Sequence, residues 1–95
     1  MLRISQIEAS NGHVTLKLEG RIVGPWVTEL ERACGRLTER GQAFGLDLTD
    51  VFFVDRGGVA LLLDLKERGI VLQGCSPFVM AELLEAERET GTAET

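Results

Sequence analysis

Basic residues, histidine and cysteine are all scarce in this 95-residue chain, and it has no long apolar run. Ten Lys and Arg against fifteen Asp and Glu give a formal charge of −5, so the basic stripe that a phosphate backbone requires is missing. Nucleic acid is excluded as an expected partner. The longest apolar run, Gly57 to Leu63, is far too short to span a bilayer, and no charged-then-apolar signal segment opens the sequence. The expectation is a cytoplasmic protein with no direct membrane insertion. Cys34 and Cys75 cannot build a disulfide framework and lack metal-ligand spacing, which points to buried thiols in a reducing compartment. His13 is the single histidine, so imidazole-based acid–base or metal chemistry has little to build on. No catalytic residue, metal site or cofactor is expected.

What is present is ordinary for a globular domain. Apolar residues make up 44% of the chain, enough for one core, and the length suits a single domain. The acidity is uneven: Glu85, Glu87, Glu89 and Glu94 stand against Arg88 alone at the C-terminal end. A single domain over residues 1–88 followed by a disordered acidic tail over 89–95 is the expected organisation.

Leu2, Ile4 and Ile7, and then the cleaner alternation of Val14, Leu16 and Leu18, predict two strands. Asn11-Gly12 between them suits a type I′ turn, so residues 2–19 read as a hairpin. Pro25 opens a helix along Trp26, Leu30, Ala33, Cys34 and Leu37 that ends at Gly41. Ala43 to Leu48 reads as a strand buried on both faces, Val51 to Val54 as a loop or short extended piece packed inward. Gly57-Gly58 opens a second helix closing at Gly69, Ile70 to Leu72 is a third buried strand, and Ser76-Pro77 starts a third helix along Val79, Leu83 and Ala86. The order β-β-α-β-α-β-α predicts an α/β fold: a mixed sheet made of an N-terminal hairpin plus parallel strands, covered by about three helices.

The stretch from Leu46 to Val59 carries the chemistry. Asp47 to Thr49 end a strand, a short loop carries Asp50, and Asp55 precedes the glycine pair at a helix start. In parallel sheets, ligands and partners engage where strand ends and helix N-termini converge. Taken alone, Asp55 fits a helix cap and Gly57-Gly58 a turn better than a binding site, because caps are common. A Thr49 hydroxyl that satisfies its own turn is likewise favoured over a phosphate acceptor. Trp26 lies in the apolar stripe with Leu30 and fits the core better than an interface.

Leu18-x-Gly20, Leu46-Asp-Leu-Thr-Asp-Val51, Val54-Asp55-x-x-Gly58-Val59 and Leu62-Leu63, in this order, resemble the STAS domain of sulfate transporters and anti-sigma factor antagonists, over residues 1 to about 85. The resemblance implies a regulatory, non-enzymatic module that binds proteins. In the antagonist members the loop matching Asp55–Gly58 reads Asp-Ser-Ser-Gly, and its second serine is phosphorylated by a kinase that is itself the anti-sigma factor. Here Arg56 and Gly57 take the two serine positions, and Gly57 offers no hydroxyl. Two partner classes follow from the resemblance, an anti-sigma factor kinase or the ATPase of an ABC transporter; a small-molecule-sensing domain is the alternative of a different class. The expected partner-binding residues are Asp50, Phe52, Phe53, Asp55, Arg56, Gly57 and Gly58.

Overall fold

Strands β1 (Leu2–Glu8) and β2 (Val14–Ile22) pair antiparallel in a computed structural model that describes residues 1–93, with side chains as far as residue 89. The hairpin is the expected one but its turn is not. A type I′ turn needs positive φ at both central residues, yet only Gly12 has it (84°), and no non-glycine residue does among those described. The Gly12 N–H donates to the Ala9 carbonyl at 3.0 Å and the Ala9 N–H to His13 at 2.9 Å. The connection is therefore a three-residue loop with glycine at the left-handed position. The Asn11 side chain serves by accepting from the His13 N–H at 3.0 Å.

Helix α1 (Pro25–Glu39) buries Leu30, Cys34 and Leu37. It stops where the Gly41 N–H reaches the Thr38 carbonyl and the Gln42 N–H reaches Leu37 (3.0 and 2.9 Å), a paired closure of the last turn. Burial pushes the Cys34 thiol up to about 11, as suits a structural cysteine, and Cys75 is half-buried and also raised by burial. Strand β3 (Phe44–Val54) pairs parallel with β2 and with β4 (Val71–Gln73), giving the sheet order β1-β2-β3-β4. Helix α2 (Arg56–Glu67) lies between β3 and β4. Helix α3 (Pro77–Ala93) begins where Ser76 Oγ accepts from the Val79 N–H at 3.2 Å. Of the tail expected over residues 89–95, residues 94 and 95 lie outside the described residues, and α3 covers the stretch from Glu89 to Ala93.

Helix α1 rests on β2, α2 on β3 and β4, and α3 on β3, while α1 touches α2 and α2 touches α3. All three helices thus form one layer over one face of the sheet. Val14, Leu16 and Leu18 of β2, Phe44, Leu46 and Leu48 of β3, and Leu62, Leu65, Val79 and Leu83 of the helices fill the space between the layers. The one-sided cover corrects the reading of Ala43–Leu48 as buried on both faces. Its opposite face carries Gly45, which has no side chain, and the half-buried Asp47. Nor is the third parallel strand buried: β4 is a three-residue edge, with Val71 61% exposed.

Candidate functional site

The strand that carries Asp50, Phe52 and Phe53 does not stop at Thr49. It runs to Val54 because two bulges let it keep pairing with β2. Lys17 faces Asp47 and Glu19 faces Asp50, so β3 spends one extra residue there; between Gly20–Val51 and Arg21–Phe53 it spends another. Each bulge stretches the inward spacing from two residues to three. Leu48, Val51 and Val54 are consequently buried, and Thr49-Asp50 and Phe52-Phe53 are left outside as two exposed pairs. The stretch Val51 to Val54, expected as a loop or short extended piece packed inward, is thus extended, as the end of β3, with only its valines packed inward. A regular strand would have turned one phenylalanine into the core.

Phe53 stacks on Phe78 of α3, with ring centroids 5.7 Å apart and planes 20° from parallel. Phe52 lies under the Arg21 guanidinium, 5.3 Å from the ring centroid. Phe52, Phe53 and Phe78 are 60%, 41% and 45% exposed. Asp50 sits beside Lys17 at 3.4 Å, in a pair open enough to water to add little stability.

Asp55 closes the strand and starts the helix. One carboxylate oxygen accepts from the Gly58 N–H at 2.8 Å, which makes Asp55 the cap of α2. The other accepts from the Gly24 N–H at 2.9 Å, just ahead of Pro25 and α1. One side chain therefore ties together the starts of two helices. The hydrogen bonds from Gly24 and then Gly58 hold its carboxyl below the usual aspartate range. The two glycines that follow differ. Gly58 is buried against the end of β2, where an added Cβ would stand 2.7 Å from the Ile22 carbonyl oxygen. Gly57 is exposed, with ordinary room around it. Arg56 is exposed, makes no ion pair among the described residues, and lines a groove between α2 and α3 together with Val59, Glu82, Glu85, Ala86 and Glu89.

The other residues weighed from the sequence take local roles. Thr49 donates both its N–H and its hydroxyl to Asp47, which holds the Asp47 carboxyl below the ordinary range. Trp26 is half-buried against the core. His13 is half-buried beside the hairpin turn. The structure thus gathers the seven expected residues, Asp50 to Gly58, along one strand end and one helix start. Two further residues join them that the sequence did not single out, Phe78 and Arg21. No local pattern singles out Phe78, since Trp26 likewise follows the proline at a helix start and yet packs against the core. No helix among the described residues is long and apolar enough to cross a membrane.

No protein-family model and no curated protein matches the sequence. The solved structure of the anti-sigma factor antagonist SpoIIAA in its unphosphorylated form does match, with a TM-score of 0.65 and 17% identity over 83% of this chain and 79% of that one. Antiparallel hairpin, two parallel strands and three helices in the order expected from the STAS resemblance make this chain a STAS-like α/β fold, shared with an anti-sigma factor antagonist.

Proposed function

We propose that this chain is a non-enzymatic, cytoplasmic regulatory module that works by binding another protein through Asp50, Phe52, Phe53 and Asp55 to Gly58. One observation carries the reading: two adjacent phenylalanines are held outward by the bulges of β3, beside a helix start whose Gly57 leaves the backbone bare. Exposed aromatic rings around accessible backbone are how a small module gains affinity from few polar contacts. The fold shared with SpoIIAA, an anti-sigma factor antagonist, favours an anti-sigma factor kinase as the partner.

Used as bait against extract of its native cell, the wild-type chain should retain an ATP-binding kinase, whereas Phe52→Ser with Phe53→Ser should retain at least about tenfold less, the loss of roughly 1.4 kcal/mol or more. The double variant gives up one exposed ring stack and the exposed Arg21 contact on Phe52, about 0.5–1.5 and about 0.5–1 kcal/mol of stability, so it should still fold. Gly57→Leu is the steric counterpart: its backbone is not in the positive-φ region, so a folded variant that no longer binds is expected. Undiminished retention by both variants would move the interface elsewhere, and retention of an ABC transporter ATPase instead would change the partner class.

The switch is expected to be missing. Position 57 has no hydroxyl, so incubation with the retained kinase and ATP should place no phosphate on residues 55–58. A phosphopeptide from this segment, by mass spectrometry, is the contrary result.

A further inference from the structure

Glu82, Glu85 and Glu89 follow Phe78 on α3 at intervals of four, three and four residues, which keeps all four on one flank of the helix. Along that exposed flank a groove between α3 and the start of α2, ≈ 210 Å³ in volume, is lined by Val59 and Ala86 and edged by the three glutamates and Arg56. Three carboxylates against one guanidinium leave it negative. Among the described residues none of the three glutamates makes an ion pair, whereas Glu87, on another side of α3, is held by Lys66 near the end of α2 at 3.2 Å. Like charges one helical turn apart repel, and Arg56 alone in the groove does not balance three of them, so a further positive group along this flank is favoured. At its N-terminal end the flank continues into the exposed stack of Phe78 on Phe53. The apolar end and the acidic stretch together extend roughly 16 Å, about three turns of helix.

Resting on the docking reading above, we infer that the partner presents a basic amphipathic helix to this surface. Its apolar side chains cover Phe53 and Phe78, and its Lys or Arg side chains run along Glu82, Glu85 and Glu89. A groove between two helices with apolar anchors at one end suits a helix laid across it. The charge selects a cationic one, and it disfavours an anionic membrane surface, which would be repelled.

Two synthetic amphipathic peptides of about four turns serve as probes, identical in their leucines and differing only in Lys or Glu at the polar positions. Titrated into the nitrogen-15-labelled chain, the Lys peptide should shift the backbone amides of residues 52–58 and 78–89, and the Glu peptide should not. Glu82→Gln with Glu85→Gln and Glu89→Gln should weaken the Lys peptide by at least about tenfold, as should salt raised to about 0.5 M, where screening acts over a few ångströms. Glu31→Gln with Glu39→Gln, exposed on α1, should leave its affinity unchanged. Equal binding of both peptides, lost in Phe53→Ser, would overturn the charge inference and leave the docking surface standing. Amide shifts elsewhere, or none with either peptide, would overturn the inference outright. Lys-peptide binding at the acidic flank that ignores Phe53→Ser would remove the aromatic anchor and with it the docking reading.

Discussion

Gly58→Ala should lower stability by about 1–3 kcal/mol, while Gly57→Ala, one residue earlier, should leave it unchanged or raise it by up to about 1 kcal/mol. The two glycines look alike in the sequence but face different neighbours. A Cβ on Gly58 would meet the Ile22 carbonyl oxygen at 2.7 Å and Ile22 Cγ2 at 3.1 Å. Backbone cannot swing aside as a side-chain tip can. The same carbonyl accepts from the Asp55 N–H at 3.1 Å, so pushing it away also loosens the cap of α2. At Gly57 the added carbon would find Asp55 Oδ1 at 3.5 Å and Val27 at 3.9 Å, ordinary contacts, and the side chain would stiffen only the unfolded chain. In a domain of this size each kcal/mol moves the thermal midpoint by roughly 4–8 °C, so thermal and urea unfolding of the two variants should separate plainly. Equal effects would mean that the Gly58 contact relaxes freely.

Asp55→Ala should cost about 1–2 kcal/mol, the upper part of the range for a lost cap, because two N–H donors lose their acceptor at once. Asp55→Asn should fall between. An amide has one oxygen where the carboxylate has two, so it can serve Gly58 or Gly24 but not both. The pH dependence has a definite sign. The folded-state pKa of Asp55 is depressed by its bonds to Gly24 and then Gly58, so the ionised form is the one folding favours. Its contribution is fully present above the unfolded aspartate value of about 3.9 and is lost as pH falls through the lower folded value. Asp47, depressed by Thr49, adds to stability in the same direction. Urea unfolding of wild type and Asp55→Asn should show a stability gap that is flat near neutrality and narrows below about pH 4. A gap that widens in acid would contradict the double cap.

The element order was legible because α1 and α2 carry clean helical stripes and close on glycines, and because β2 alternates without interruption. The latter half of β3 was not. Its bulges set Leu48, Val51 and Val54 three residues apart, a spacing that matches neither a regular strand nor a helix and therefore reads as a break. Such irregularity depends on pairing with β2, which no local pattern records. The length of β4 was hidden for a related reason: Ile70-Val-Leu72 is apolar enough for a buried strand, yet only tertiary placement makes it an edge. Asp55 as the cap of α2 was readable from the sequence. Its second bond, to Gly24 thirty-one residues earlier, was not, since a contact so distant leaves no periodic trace. Of the surface, Phe52 and Phe53 could be named from the sequence, but the ring of Phe78 that completes the patch comes from another helix.

The two edges of the sheet are unequally open to other chains. Strand β1 offers a seven-residue edge on its outer side, where the exposed Arg3, Gln6 and Glu8 flank an exposed Ile7. Strand β4 offers three residues, with Val71 exposed on it. A template this short holds an incoming strand by only a few hydrogen bonds, too few to offset the entropy of ordering it. Lateral growth into ribbons is thereby checked at β4 by brevity and at β1 by the charged Arg3 and Glu8 on either side of Ile7. The chain can then present three uncovered phenylalanines at high concentration without inviting its own strands to stack.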